Sequence, residues 1–507
     1  MIQLSYQTKS TQRKALSMYN SIQHFMEKGI KKLEEIFLQY VEHPENFAEM
    51  IQGVQKSVVE LGLSMIEEEL ESYDSYLRDN KHARPDWYIV KQDRTTLMTS
   101  LGSINYSKTL FQHKKTKERC YLLDKFMGMA PHTRLTEDAE AKILQEVVES
   151  SYEKVGTTLC LSGEQISKET VMHKLHNLSF PTADIPEEKK IADYLYLDAD
   201  EDHIRLQYRR QKGDLERNQY GRKNNNAIAK LIYVYEGIET ETLHGKRKQL
   251  KSPHYFARVG NGRENDALWD EVSAYLDNHY EMEQAKKLYV NADGGEWIKS
   301  GIKRLGCQAS YVLDGYHLTK YLTRLSSHMK ERADEVKEEL YRLIEHGTKE
   351  KFVEYASTLK RYLPNHTGEK RIDESIAYII SNWNAAKLRL KHKEGVLGSS
   401  TEGHVSHVLS SRMSSRPMGW SITGMSKMAE LRAYHYNGGD MLKLVRYQKN
   451  IQEKTVSDKQ KPCSGQIIIQ EERRQARQLG IYAGMKTYSV SRQVRKQAAI
   501  RHSICGL

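Results

Sequence analysis

A short apolar run, Leu288-Tyr-Val-Asn-Ala-Asp-Gly-Gly-Glu-Trp297, constrains this chain more than any other stretch. Its β-prone residues read as a buried strand that delivers Asp293 to a glycine turn, after which Glu296 opens a helix. A carboxylate at the carboxyl end of such a strand stands at the rim of an open α/β sheet, where ligands bind. To hold a metal there, Asp293 needs acidic partners from elsewhere. Two segments offer them: the acidic turn Asp198-Ala-Asp-Glu-Asp202 upstream, and Glu402, within Gly398-Ser-Ser-Thr-Glu-Gly403, downstream.

The rest of the chain arranges itself around that strand. Residues 1–90 form a helical N-terminal region, where Ile22, Phe25, Met26, Ile30, Leu33, Ile36 and Phe37 recur at helical spacing. Residues 91–180 hold a small hairpin, between Thr95 and Phe126, and then two helices. The second of these, Leu161–Leu175, presents Ser167, Lys168, Thr170 and Lys174, residue types that reach phosphates and base edges. The pair reads as a helix-turn-helix, although any helical hairpin with a small residue at its corner has the same pattern. Pro181–Glu188 is a linker.

A core begins at residue 188. Tyr194–Asp200 alternates as a strand with Asp198 and Asp200 on one face. Glu201 and Asp202 are expected to turn the chain, His203–Gln207 to return it, and Ile228–Tyr235 to complete an antiparallel meander. Basic loops carrying Arg209, Arg210, Arg222 and Lys223 lie between these strands, either solvated or set to hold a phosphate backbone. The first part of the core, 188–318, ends with the strand Ala309–Leu313 and Asp314-Gly-Tyr-His317. Residues 319–397 make a helical insertion, whose Trp383 either packs in a core or stacks on an unpaired base. Residues 398–455 return to the core with Glu402 in the first turn of a helix capped by Ser399 or Ser400. A basic tail, 456–507, closes the chain.

Composition narrows the function. Of 507 residues, 78 are Lys or Arg and 67 are acidic, a surplus of +11 that favours a polyanionic partner. No apolar run approaches the roughly 20 residues needed to span a bilayer, and the start lacks the apolar stretch of a secretory signal. The five cysteines are odd in number and form no Cys-x-x-Cys pair, which argues against a disulfide framework or a structural zinc site and for a reducing cytoplasm.

Strand-Asp, two further strands, helix, strand-Asp, helix, strand, helical insertion and helix-Glu is the order a ribonuclease H-like core needs to gather three carboxylates. Such a cluster is neutralised by two Mg²⁺ or Mn²⁺ ions about 4 Å apart, which activate water or a terminal 3′-hydroxyl for in-line attack on phosphate. The expected fold class is therefore α/β, a ribonuclease H-like core with a helical insertion behind a mainly helical N-terminal region.

Several motifs add a resemblance. The Gly102-centred hairpin, the helix-turn-helix, Ala199-Asp-Glu-Asp-His203, Asn291-Ala-Asp-Gly-Gly-Glu-Trp297, Val312-Leu-Asp-Gly-Tyr-His-Leu318, Ser400-Thr-Glu402, Ser411-Arg412 and Gly419-Trp420 together resemble bacterial insertion-sequence transposases of the DDE type. The match is to the ISLre-type family, relatives of the Mutator-like transposases. The resemblance implies that Asp293 is the second catalytic carboxylate and Glu402 the third, with Asp314 and His317 as an Asp-x-x-His signature. Asp200 takes the first place, with Asp198 as the alternative, because Glu201 stands where many relatives have glycine. The implied activity is cleavage and joining of double-stranded DNA at terminal inverted repeats and target, by a homo-oligomer at the nucleoid. A nuclease of the same fold without joining, or a DNA-binding protein without catalysis, would share much of this pattern.

Overall fold

The structure, a computed structural model, describes residues 19–207, 226–242, 245–306, 309–363, 368–392, 396–397, 401–416 and 418–460. The chain divides into two compact units, Met1–Val445 and Arg446–Leu507. All that follows concerns the first.

Helices Ile30–Glu42 (α1) and Phe47–Asp79 (α2) form the N-terminal hairpin, as the helical spacing predicts. Behind them β1 (Trp87–Met98), β2 (Ser103–His113) and β3 (Arg119–Tyr121) make an antiparallel three-stranded sheet. Over residues 103–109 the outer edge of β2 has no strand beside it among the described residues, and α2 supplies acceptors instead. Glu67, Glu71 and Asp74, one helical face, accept the backbone N–H groups of Asn105, Ser107 and Thr109. An exposed strand edge invites pairing with another chain, and this row of carboxylates closes it. Helices Glu137–Val147 (α3), Tyr152–Thr158 (α4) and Lys168–His176 (α5) follow.

The central sheet has five strands: β4 (Tyr194–Arg205), β5 (Asn226–Tyr235), β6 (His254–Val259), β7 (Lys287–Ala292) and β8 (Ala309–Leu313), in the order β8-β7-β4-β5-β6. β4, β7 and β8 run parallel, while β5 is antiparallel to both β4 and β6. The parallel connections pass through α6 (Arg263–His279) and α7 (Glu296–Ile302).

Here one expectation fails. Glu201 and Asp202 do not turn the chain: β4 continues through them to Arg205, paired residue by residue with β5 from Tyr196↔Tyr235 to Arg205↔Asn226. The alternation never breaks, so buried Ile204 falls on the same face as Tyr196, and no glycine or proline interrupts the run. The strand expected to return at His203 is the second half of β4, and β5 is the returning strand.

Each face of the sheet buries its own core. One face, with Leu195, Leu197, Ala199, Ile232, Val234, Leu288 and Val290, packs on Trp269 and Leu268 of α6. The other carries an unusual number of tyrosines, Tyr196, Tyr233, Tyr235, Tyr255 and Tyr289, and packs against the helices that follow Glu402. The helical insertion consists of α8 (Gly315–Ser326), α9 (Ala333–His346), α10 (Lys349–Thr358), α11 (Glu369–Ser381) and α12 (Trp383–Lys391). It has a separate core in which Trp383, 5% exposed, meets Phe352 edge to face at 5.6 Å. Trp383 is therefore a packing residue and presents no free ring face to a base. The chain returns to the central sheet through α13 (Thr401–Val405) and α14 (Ile422–Tyr436).

Candidate active site

The carboxyl ends of β7 and β8 lie side by side, and the Asp314 N–H donates to the Ala292 carbonyl at 2.8 Å. Asp293 therefore leaves β7 next to Asp314, which leaves β8. Asp200, on neighbouring β4, reaches the same place. Burial pushes its carboxyl up to about 6, with Asp293 and Asp314 pushing the same way and His317 opposing. Among the described residues its Oδ1 accepts a single backbone N–H, from Glu201 at 2.8 Å.

Asp314 caps α8. Its Oδ2 accepts the His317 N–H at 3.1 Å and lies 3.1 Å from His317 Nδ1. Burial works to raise the Asp314 carboxyl, but these bonds outweigh it and hold the group low. His317 is raised by its bond to Asp314 against the cost of burial, with help from Asp293 and Asp200. The arrangement favours the protonated imidazole beside three carboxyl groups.

Asp293 is fixed by its turn. Its Oδ1 accepts the Gly295 N–H at 2.9 Å, and the Tyr378 hydroxyl, from the insertion, donates to its carbonyl. Gly294 has φ +99°, and a Cβ there would stand 2.7 Å from Asn382 Oδ1 and 3.0 Å from the Tyr311 hydroxyl. Both the conformation and the close approach require glycine. Tyr311 in turn donates to Asn382 Oδ1 at 3.1 Å, so the insertion is latched onto the turn that carries Asp293.

Asp198 has a different setting. It is wholly buried and surrounded by donors: the Tyr233 hydroxyl at 2.6 Å, Asn291 Nδ2 at 2.7 Å, and the Tyr235 and Thr401 hydroxyls at 3.4 Å each. Arg389 donates to Asn291 Oδ1 at 3.1 Å and also to the Leu313 carbonyl. That bond orients the Asn291 amide so that its nitrogen faces Asp198. The buried carboxylate thus ties β4 to β5, β7 and α13, two residues below Asp200.

Thr401 begins the helix that carries Glu402, and α13 packs against β4. Glu402 itself is exposed. The expected caps Ser399 and Ser400 lie outside the described residues. Among the described residues, no group of three His, Cys, Asp or Glu side chains stands ready to hold a metal ion. The donor set nonetheless suits a hard divalent cation: carboxylate oxygens from two parallel strands, one with its proton affinity raised by burial and by its acidic neighbours.

Among the described residues, the helix-turn-helix residues expected to meet DNA have other partners or none. Ser167 is the N-cap of α5 and accepts the Thr170 N–H at 3.2 Å, while Lys174 is paired with Glu140. Lys168 is exposed and Thr170 half-buried. Residues 159–167 separate α4 from α5, far longer than the corner of about 3–4 residues in a helix-turn-helix. Arg209, Arg210, Arg222 and Lys223 lie outside the described residues. What sequence reasoning missed is the supporting shell. Asn291, polar within an apolar strand, was the one visible signal; Tyr378, Asn382 and Arg389 are ordinary residues in a helical stretch.

A family model described as "Uncharacterised protein family (UPF0236)" matches residues 41–450. Two UPF0236 proteins of Caldanaerobacter subterraneus subsp. tengcongensis are each 30% identical over 413 residues, covering 81% of this chain and 82% of the relative. The name of one joins four locus designations and that of the other eleven. Among solved structures, the Drosophila P element transposase strand transfer complex matches with a TM-score of 0.24 and 10% identity, over 68% of this chain and 90% of that one, a likeness too slight to carry an argument. No described helix is long and apolar enough to cross a membrane. The chain belongs to the UPF0236 family.

Proposed function

We propose that this UPF0236 member is a metal-dependent DNA transposase, which binds the terminal inverted repeats of its element, hydrolyses a strand beside them and joins the freed 3′ end to target DNA. The observation that carries the reading is the meeting of Asp200, where β4 outruns its pairing with β7, with Asp293 and the Asp314–His317 pair at the carboxyl ends of β7 and β8, and with the Glu402 helix packed on β4.

Numbered along the core, the strands lie in the order 3-2-1-4-5 with the second antiparallel, which supports a ribonuclease H-like core. The insertion between the last strand and the Glu402 helix supports it too. A relative's name that joins eleven loci supports a multi-copy genetic element.

In this reading Asp200, Asp293 and Glu402 would hold two Mg²⁺ or Mn²⁺ ions. When bound, the ions polarise the scissile phosphate and lower the pKa of the attacking hydroxyl. The residues of the chain do the rest. Gly295, Tyr378 and Asn382 hold the Asp293 turn still, and Asp198 fixes the depth of β4 against α13. His317, oriented by the contact of its Nδ1 with Asp314, donates through its other ring nitrogen to a non-bridging phosphate oxygen. Only the nucleophile differs between hydrolysis and joining, so one site serves both. The partners are double-stranded DNA and further copies of the chain, at the nucleoid.

The test is strand transfer with pre-cut oligonucleotide ends in Mg²⁺ or Mn²⁺. Joined product is expected. Hydrolysis without joining would make the protein a nuclease, and DNA binding with neither reaction would leave it a binding protein.

A further inference from the structure

The three-stranded sheet that follows α2 has no part in the site described above, yet it concentrates charge. Residues 81–125 hold ten Lys or Arg against four acidic residues, more than half of the surplus of the whole chain. Three of the acidic side chains are already paired within this segment: Asp93 with Lys91, Asp124 with Lys108, and Glu118 with Lys125. The tip that joins β2 to β3 carries Lys114, Lys115, Lys117 and Arg119, all exposed. Lys115 and Lys117 have no acidic partner among the described residues.

This tip is a built turn. The Thr116 N–H donates to His113 Nδ1 at 3.1 Å and the Lys117 N–H to the His113 carbonyl at 3.1 Å, while the His113 N–H closes on the Glu118 carbonyl at 2.8 Å. The His113 ring rests edge-on against Trp87 at 5.0 Å. At its apex Lys117 takes φ +63°, the left-handed conformation that costs any residue with a Cβ and that glycine or asparagine would adopt more cheaply. A strained backbone at a lysine with no partner points to a role for its charge outside the fold.

We propose that the β2–β3 hairpin tip, Lys114 to Arg119, is a contact for the phosphate backbone of duplex DNA, with Lys115 and Lys117 as its two free cations. A two-stranded ribbon of this kind fits a DNA groove. The proposal rests on the DNA reading above. It places DNA binding where neither α5 nor the loops between β4 and β5 had put it.

Lys117 allows a test in which stability and binding move in opposite directions. The full chain is titrated with a mixed-sequence 30-bp duplex at several salt concentrations, and its unfolding temperature is measured alongside. Lys117→Gly relieves the left-handed strain, so the unfolding temperature rises while affinity for the duplex falls several-fold. The slope of log affinity against log salt drops by about one, and by about two in a Lys115→Ala, Lys117→Gly double variant, as expected for one counterion released per phosphate contact. Lys117→Arg keeps affinity and slope, and Lys349→Ala, an exposed lysine of the insertion, leaves both unchanged. A Lys117→Gly chain that is stabilised yet binds with unaltered affinity and slope would reduce the tip to a solvated turn and overturn the proposal, while wild-type binding would leave the transposase reading standing. A wild-type chain that fails to bind the duplex at any salt would overturn both.

Discussion

Asp198 and Asp200 stand on the same face of the same strand, two residues apart, and the fold treats them as different chemical groups. Asp198 is wholly buried with donors from Tyr233, Tyr235, Asn291 and Thr401, every one of them neutral. Asp200, nearer the strand end, accepts one backbone N–H and faces other carboxylates. A carboxylate whose lone pairs are already taken by the fold has little left for a ligand. One left short of donors among like charges is costly until something cationic arrives. The difference in surroundings therefore comes from depth in the sheet, which residue type and alternation leave undetermined.

That comparison can be broken in several ways, the largest effect first. Asp200→Asn or Asp293→Ala should reduce DNA cleavage by roughly 10³-fold or more while leaving DNA binding intact, measured on a labelled duplex. Near-normal cleavage in Asp200→Asn would remove the distinction. Asp198→Asn should act chiefly on stability, because its new amide donors would face the donors of Tyr233 and Asn291. A loss of about 2–4 kcal/mol in denaturant titration is expected. Were Asp198→Asn fully stable but without cleavage, the roles of the two residues would have to be exchanged.

Gly294→Ala sharpens the second carboxylate. Its positive φ and the approach of Asn382 should cost about 1–3 kcal/mol, and cleavage should fall further than stability alone explains because the Asp293 turn shifts. The smallest effect is one of pH. The carboxyl of Asp200 is raised to about 6 in the fold, against about 4 in an unfolded chain. The folded state thus holds its proton more tightly, and metal-free stability falls as pH rises from about 4 to about 6, then stays reduced. Asp200→Asn should lose that dependence and gain of order 1 kcal/mol at neutral pH. A wild-type chain whose metal-free stability is flat across this window would contradict the raised carboxyl.

Much of the core was legible in the sequence. Ala309–Leu313 forms the expected strand, Asp314 caps the expected helix, and the helical insertion runs from there to Lys391, because apolar alternation and cap residues mark these elements locally. The false turn at Glu201 and Asp202 shows the limit. Two adjacent acidic residues resemble a turn by composition, but the strand that pairs with them begins only at Asn226, across a stretch whose length gives no warning. The choice between Asp198 and Asp200 was illegible for the same reason, since the donors around Asp198 come from β5, β7 and α13. In the helix-turn-helix reading, Ser167, counted as a DNA contact, is also the cap that starts α5 at Lys168, and the corner before it is longer than the pattern suggested.

The most direct test of the central idea is Mn²⁺ binding followed by electron paramagnetic resonance on the wild-type chain, Asp200→Asn and Tyr233→Phe. The wild type should bind Mn²⁺ and Asp200→Asn should lose most of that binding, whereas Tyr233→Phe, which removes a donor to Asp198 and a hydrogen bond with Thr401, should retain it with modestly lower stability. Equal Mn²⁺ binding by the wild type and Asp200→Asn would mean that the carboxylates at the strand ends do not form a divalent-ion site.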